Sequence, residues 1–298
     1  MDVLFRNQIV LTFGGALAPN NSVSLRTLSY TVPHFQRALD KTVYFNKVGE
    51  IRKFTSLPVD LHGYADLYID SLEEGSLRIP FLSNLMEGVP QLYANFMAQP
   101  YEQSSFEVLT SGHVLTADLE GNKVRAQNDS LEIVTQEELI AVEGDRKLAY
   151  AQTAVLKDMS LALSVVRSTP GAILSVGVNS ERGHYSFEFD QQRAARFARI
   201  ATEKRLADPA IYVGRITGLE RVRASGQFQY SAKFLSRTTG QESKLLVSDY
   251  DDALRISPFN LTSEDIMIWA SPVSLHNSFD PVRGDIVFVD FVDFAALP

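Results

Sequence analysis

The chain has 298 residues, of which 45% are hydrophobic, 21% charged and 10% aromatic. That balance excludes a disordered, collagen-like or small disulfide-held protein and allows a real core. Zero cysteines exclude disulfides, thiolate zinc sites, iron–sulfur clusters and thiol catalysis. The net charge of −8 argues against the whole surface acting as a nonspecific polyanion binder. No apolar run approaches the roughly 20 residues that cross a bilayer. Asp2, Arg6 and Asn7 interrupt the N-terminus where a signal peptide needs an apolar stretch. A cytoplasmic protein without membrane contact is expected.

Gln8 to Phe13 reads as a strand entering a Gly14-Gly15 and Pro19-Asn20-Asn21-Ser22 turn. From Thr31, the apolar residues Val32, Phe35, Leu39 and Val43 recur at helical steps, with Pro33 in the first turn and Gly49 past the end. Alternation around Leu67 and Ile69, then Glu73-Glu74-Gly75-Ser76 and Leu77 to Pro80, predicts a hairpin. Thr135-Gln136-Glu137-Glu138 is a capping box that starts a helix, broken at Gly144-Asp145. Beyond it Leu148, Ala151, Val155, Met159, Ala162 and Val166 form one helical stripe, ended by Pro170-Gly171. Strands follow at 172–178 and 185–189. Asp190 then caps a helix running to about Leu206, before Asp208-Pro209.

After Pro209 the pattern is strands only, near 211–222, 226–234, 244–247, 265–272 and 285–294, with one helical turn inside 251–262. Five strands predict a small antiparallel barrel, and a helix between the third and fourth is the arrangement of an oligonucleotide/oligosaccharide-binding (OB) barrel. The fold class is therefore α+β, with a mixed module at 1–208 and a barrel-like domain at 209–298.

Charge is segregated along the chain. Residues 54–145 hold 16 acidic side chains against Arg78, Lys123 and Arg125, a balance of about −13. Residues 191–247 hold 11 basic against four acidic, about +7. Arg193, Arg196, Arg199, Lys204 and Arg205 fall on the expected helix, and Arg215, Arg221 and Arg223 share one parity of the first barrel strand. Lys233 and Arg237 complete the candidate contact set for a partner or for nucleic acid. Phe228, Tyr230, Ala232 and Phe234 take the inward parity, which leaves an outward basic face without aromatic platforms for base stacking.

Catalytic signatures are missing. The five histidines, His34, His62, His113, His184 and His276, show no metal-binding spacing, and there is no phosphate-cradling glycine loop or nucleophile elbow. Asp66 and Asp70, with Glu73 and Glu74, are explained by alternation in a half-exposed hairpin. Glu143, Asp145 and Lys147 sit at a helix break, and Trp269 belongs to a strand. No cofactor and no metal are expected. The layout of a mixed module plus barrel is similar to that of uncharacterised bacterial proteins found near mobile-element and anti-phage genes, which implies a defence setting. The leading expectation is a non-enzymatic interaction protein assembling through charge-polarised surfaces, as a homo-oligomer or with a protein partner. The alternative is a nucleic-acid-binding module that uses the basic helix and barrel face, and the third reading is a metal-dependent hydrolase with a site assembled in the folded chain.

Overall fold

The computed structural model describes residues 8–66, 68–69, 77–82, 87–106, 115–128, 130–142, 145–180, 183–222 and 227–292. In chain order the elements are β1 (Gln8–Gly15), α1 (Leu25–Val48), β2 (Tyr68–Ile69), β3 (Leu77–Leu82), α2 (Val89–Phe106), α3 (Leu115–Gln127), α4 (Gln136–Ala141), α5 (Asp145–Ala162) and α6 (Ser164–Ser168). They continue with β4 (Ala172–Ser180), β5 (Gly183–Phe189), α7 (Gln191–Thr202), β6 (Lys204–Leu206), β7 (Ala210–Arg221), β8 (Tyr230–Ser236), β9 (Glu242–Val247), α8 (Tyr250–Ile256), β10 (Ile266–Leu275) and β11 (Ile286–Phe291). Among the described residues, no helix is long and apolar enough to cross a membrane. The chain forms two units, one from Met1–Thr110 and Lys147–Thr202, the other from Ser111–Arg146 and Glu203–Pro298.

The first unit is a five-stranded antiparallel sheet in the order β2-β3-β1-β4-β5, with helices packed on one face. Strand alternation sends Ile9, Leu11 and Phe13 of β1 and Leu174, Val176 and Val178 of β4 into one core with Phe35, Tyr93, Val155 and Met159. Each such side chain contributes about 1.5–3 kcal/mol on burial. The expected hairpin is present as β2 paired with β3; its Glu73-Glu74-Gly75-Ser76 turn lies outside the described residues. Helix α1 starts earlier than expected. Ser24 caps it, accepting a hydrogen bond from the Thr27 amide at 3.0 Å, and the helix runs through Pro33 to the left-handed Gly49. Helix α2, which carries Pro90 and Pro100, and helix α3 were not anticipated by periodicity.

The second unit is built on a closed five-stranded barrel. β7, β8 and β9 form an antiparallel meander, β9 pairs parallel with β11, and β10 closes the ring between β11 and β7. This order, with α8 between the third and fourth strands, is the connectivity of an OB-type barrel. The expected all-antiparallel pairing is corrected at β9–β11, because a ring of five strands, an odd number, cannot alternate direction all the way round, and the one parallel pair falls between these two. Phe234, Leu245, Ile268, Ile286 and Phe288 fill the interior with Ala253 and Ile256 of α8. Thr135 bridges to Ile211, and Gln136 bonds Ser236 Oγ at 2.6 Å, which seats α4 on the barrel.

Residues 111–146 therefore belong with the barrel, whereas the change of sequence pattern puts the only division at 208. The cause is long-range. Leu115 and Leu119 of α3 pack on Phe228, Val287 and Val289, the outward-pointing valines of β11, and Asn122 Nδ2 donates to Ser271 Oγ at 3.0 Å. Lys123 Nζ meets Asp252 at 2.7 Å and Asp249 at 3.7 Å.

Candidate nucleic-acid interface

Strands β7, β8 and the start of β9 present an outer face that is open over the Arg215 and Lys233 rows and covered at its other end, where Leu246 packs on the α3 cluster. Cross-strand register arranges it in rows: Arg215 beside Leu235 and Glu242, Gly218 beside Lys233 and Lys244, and Glu220 beside Ser231 and Leu246. Members of a row point the same way, and Lys233, Leu235, Glu242 and Lys244 are exposed. Ser231 is buried and donates to Glu220 at 3.2 Å.

A β-bulge between Ile216 and Gly218 changes the geometry of β7. Its extra residue inverts the alternation, so Arg215 points outward whereas Arg221 pairs with Tyr230. Arg215 and Arg221 thus do not share a face, contrary to the simple parity expectation, and Arg223 lies outside the described residues. The bulge delivers Arg221 to the barrel rim. There the ring of Tyr250, the first residue of α8, lies 6.5 Å from that of Tyr230, inclined at 46°. Tyr250 is 58% exposed. The rim therefore presents an aromatic pair with an exposed arginine beside it, the combination on which unstacked bases lie.

The structure brings together only part of the basic set. Arg193 is turned inward within the first unit. Its guanidinium lies 4.6 Å from the Tyr101 ring centre and donates to Tyr101 Oη at 2.6 Å, Ser105 Oγ at 2.7 Å and the Glu188 carbonyl at 3.3 Å. The Glu188 amide also donates to Tyr101 Oη, so these two side chains cover a stretch of the exposed edge of β5. Arg196 donates to the Ser105 carbonyl at 3.4 Å, and Arg199 lies in the last turn of α7. Lys204 and Arg205 are in β6, not on a helix, because α7 stops at Thr202 and the chain pairs with β10 instead. Asp265 neutralises Arg215 at 2.8 Å and Arg237 at 3.3 Å, and Lys233 has Glu242 at 3.7 Å.

Among the described residues, no three His, Cys, Asp or Glu side chains gather where a metal ion could be held. Asp66 precedes β2, and its amide donates to the His62 carbonyl, while Asp70 lies outside the described residues. Asp40 is held above the ordinary carboxylate value by burial, with Asp66 and Asp158 adding to it and Gln36 and His62 opposing. Gln36 Nε2 donates to Asp40 and to the Ala65 carbonyl, both at 2.8 Å, which fixes that carboxyl against backbone.

Comparison with protein families, with curated proteins and with solved structures gives no match to this chain. Periodicity missed Tyr250 because it begins a short helix; the Asp249 cap before Asp251-Asp252 was the available signal for that helix start.

Proposed function

We propose that the chain binds single-stranded nucleic acid on the β7–β8–β9 side of its barrel. The observation that carries this reading is the Tyr230–Tyr250 pair with Arg221 in register beside it, at the rim of a barrel of OB connectivity. Stacking on an exposed tyrosine suits any unpaired base, and contributes about 1–3 kcal/mol per base. Bases inside a duplex are already stacked and would not reach the rim. Lys233 and Lys244 on the adjoining outer face supply charge for the strand's phosphates.

Fluorescence anisotropy with a labelled oligothymidine and with a duplex of equal length tests it. The single strand should bind more tightly, with a log–log salt slope of about −2, the value for three phosphate contacts at about 0.7 each. Tyr250→Ala should weaken the single strand about 5- to 100-fold. Absence of binding at about 50 mM salt, where such contacts are strong, would contradict the reading.

A second reading, association with another protein or a second copy, is favoured by one observation in the first unit. Phe54 is 82% exposed although its backbone is held in the left-handed region, at a φ of 69°, and Val59 nearby is 81% exposed. Apolar side chains held out in this way suit a protein contact. Light scattering distinguishes a second copy from a foreign partner, since only the former raises the mass of the pure protein above 33.2 kDa.

A further inference from the structure

Lys233 and Lys244 stand directly opposite each other on the outer face of the β8–β9 pair. Directly opposed side chains have Cβ atoms about 4.5–5.5 Å apart, and like charges there destabilise the strand pair. Both lysines are exposed. The carboxylate nearest Lys233, Glu242, is 3.7 Å away, with both side chains at least half exposed, a weak contact. Among the described residues Lys244 has no ion pair. The third member of the row, Gly218 on β7, has no side chain, and a Cβ built there would meet the Lys233 stem at 3.5 Å. The row is thus an opposed pair of cations beside a clearing in the sheet surface.

We propose that Lys233 and Lys244, with Gly218 clearing the approach, form a seat for a phosphodiester group of the bound strand, and that the repulsion between the two lysines weakens the free protein. The inference deepens the proposed function and rests on it. A phosphate placed between two ammonium groups converts the repulsive pair into two attractive ones. Lys233 lies three residue steps from Tyr230, roughly 10 Å along β8, so the strand's backbone can occupy the seat while a base reaches the rim.

The test combines thermal unfolding with oligothymidine binding for the wild type, Lys244→Glu, Lys244→Gln and Tyr250→Ala. Lys244→Glu replaces the repulsive pair with an attractive one, so its Tm should rise by about 1–4 °C. Its affinity for the strand should fall several-fold, with a salt slope shallower by about 0.7–1.4. Lys244→Gln should lie between it and the wild type in both measurements. If Lys244→Glu binds as the wild type does while Tyr250→Ala weakens binding, the seat is wrong and the strand-binding reading stands. A loss of affinity accompanied by a lower Tm also overturns the seat, because the loss is then structural. If the wild type binds no strand, both fall together.

Discussion

Arg193 shows how a basic residue with a phosphate-binding sequence context can be committed to structure instead. Its guanidinium bonds Tyr101, Ser105 and the Glu188 carbonyl, so it holds α7 and α2 to the edge of β5. Arg193→Ala should destabilise the first unit by about 1–3 kcal/mol, because it removes charge-assisted bonds and leaves the Glu188 carbonyl without that donor. Urea unfolding measures this, and strand binding by the same variant should be unchanged. Sequence alone could not separate Arg193 from Arg221, because both are arginines in a segment of net positive charge. What distinguishes them is a tyrosine about 90 positions away in one case and a register shift in the other.

At the scale of elements, the strands after Pro209 were legible because alternation reports a half-buried strand, and β7 to β11 all fall close to the expected ranges. The capping box at Thr135 was legible for a local reason as well: Thr135 Oγ1 accepts the Glu138 amide while Glu138 accepts the Thr135 amide at 2.7 Å. Helix α3 was not legible. Its first amide is satisfied by Gln227, 112 positions away, and its apolar residues face a barrel surface assembled later in the chain. The bulge in β7 was equally hidden, although Gly214 and Gly218 flank it. Gly214 is obligatory, since a Cβ there would lie 2.2 Å from the Leu235 carbonyl oxygen and 2.8 Å from the Phe234 ring. Backbone oxygen cannot move aside as a flexible side chain can. Gly214→Ala should therefore cost about 3 kcal/mol, at the upper end for overpacking, and move the unfolding midpoint of the barrel.

For the whole molecule, the segregation of charge along the sequence is partly resolved inside the second unit. Lys123 and Arg125, two of the three basic residues of the acidic stretch, pair with Asp249, Asp252 and Asp208, and Arg215 and Arg237 pair with Asp265. Asp249 and Glu138 set a pH dependence. Burial works against ionised Asp249, but the Asp252 amide, the Ser248 hydroxyl and Lys123 outweigh it and hold the group below its ordinary value of 3.8. Glu138 is held below 4.5 by the Thr135 amide and hydroxyl. Each folded-state value is depressed, so the stability they contribute is present above the unfolded values and lost as pH falls through the folded ones. Asp40 in the first unit is raised, which has the opposite sign. The single tryptophan, Trp269, lies on β10 and reports the barrel unit alone. Its emission should change on acidification below about pH 4, at a higher pH in the Lys123→Met variant, whose Asp249 has lost its cation.

Under the proposed function, unpaired bases stack at the rim on Tyr250, beside Tyr230 and Arg221. Photocrosslinking of an oligonucleotide carrying halogenated uracils, followed by peptide mapping, measures the contact itself. Adducts are expected on Tyr250 or Tyr230, reduced at low salt by Arg221→Glu and lost from Tyr250→Ala at that position. Adducts confined to residues of the first unit, or to the α3-covered strands β10 and β11, would contradict it.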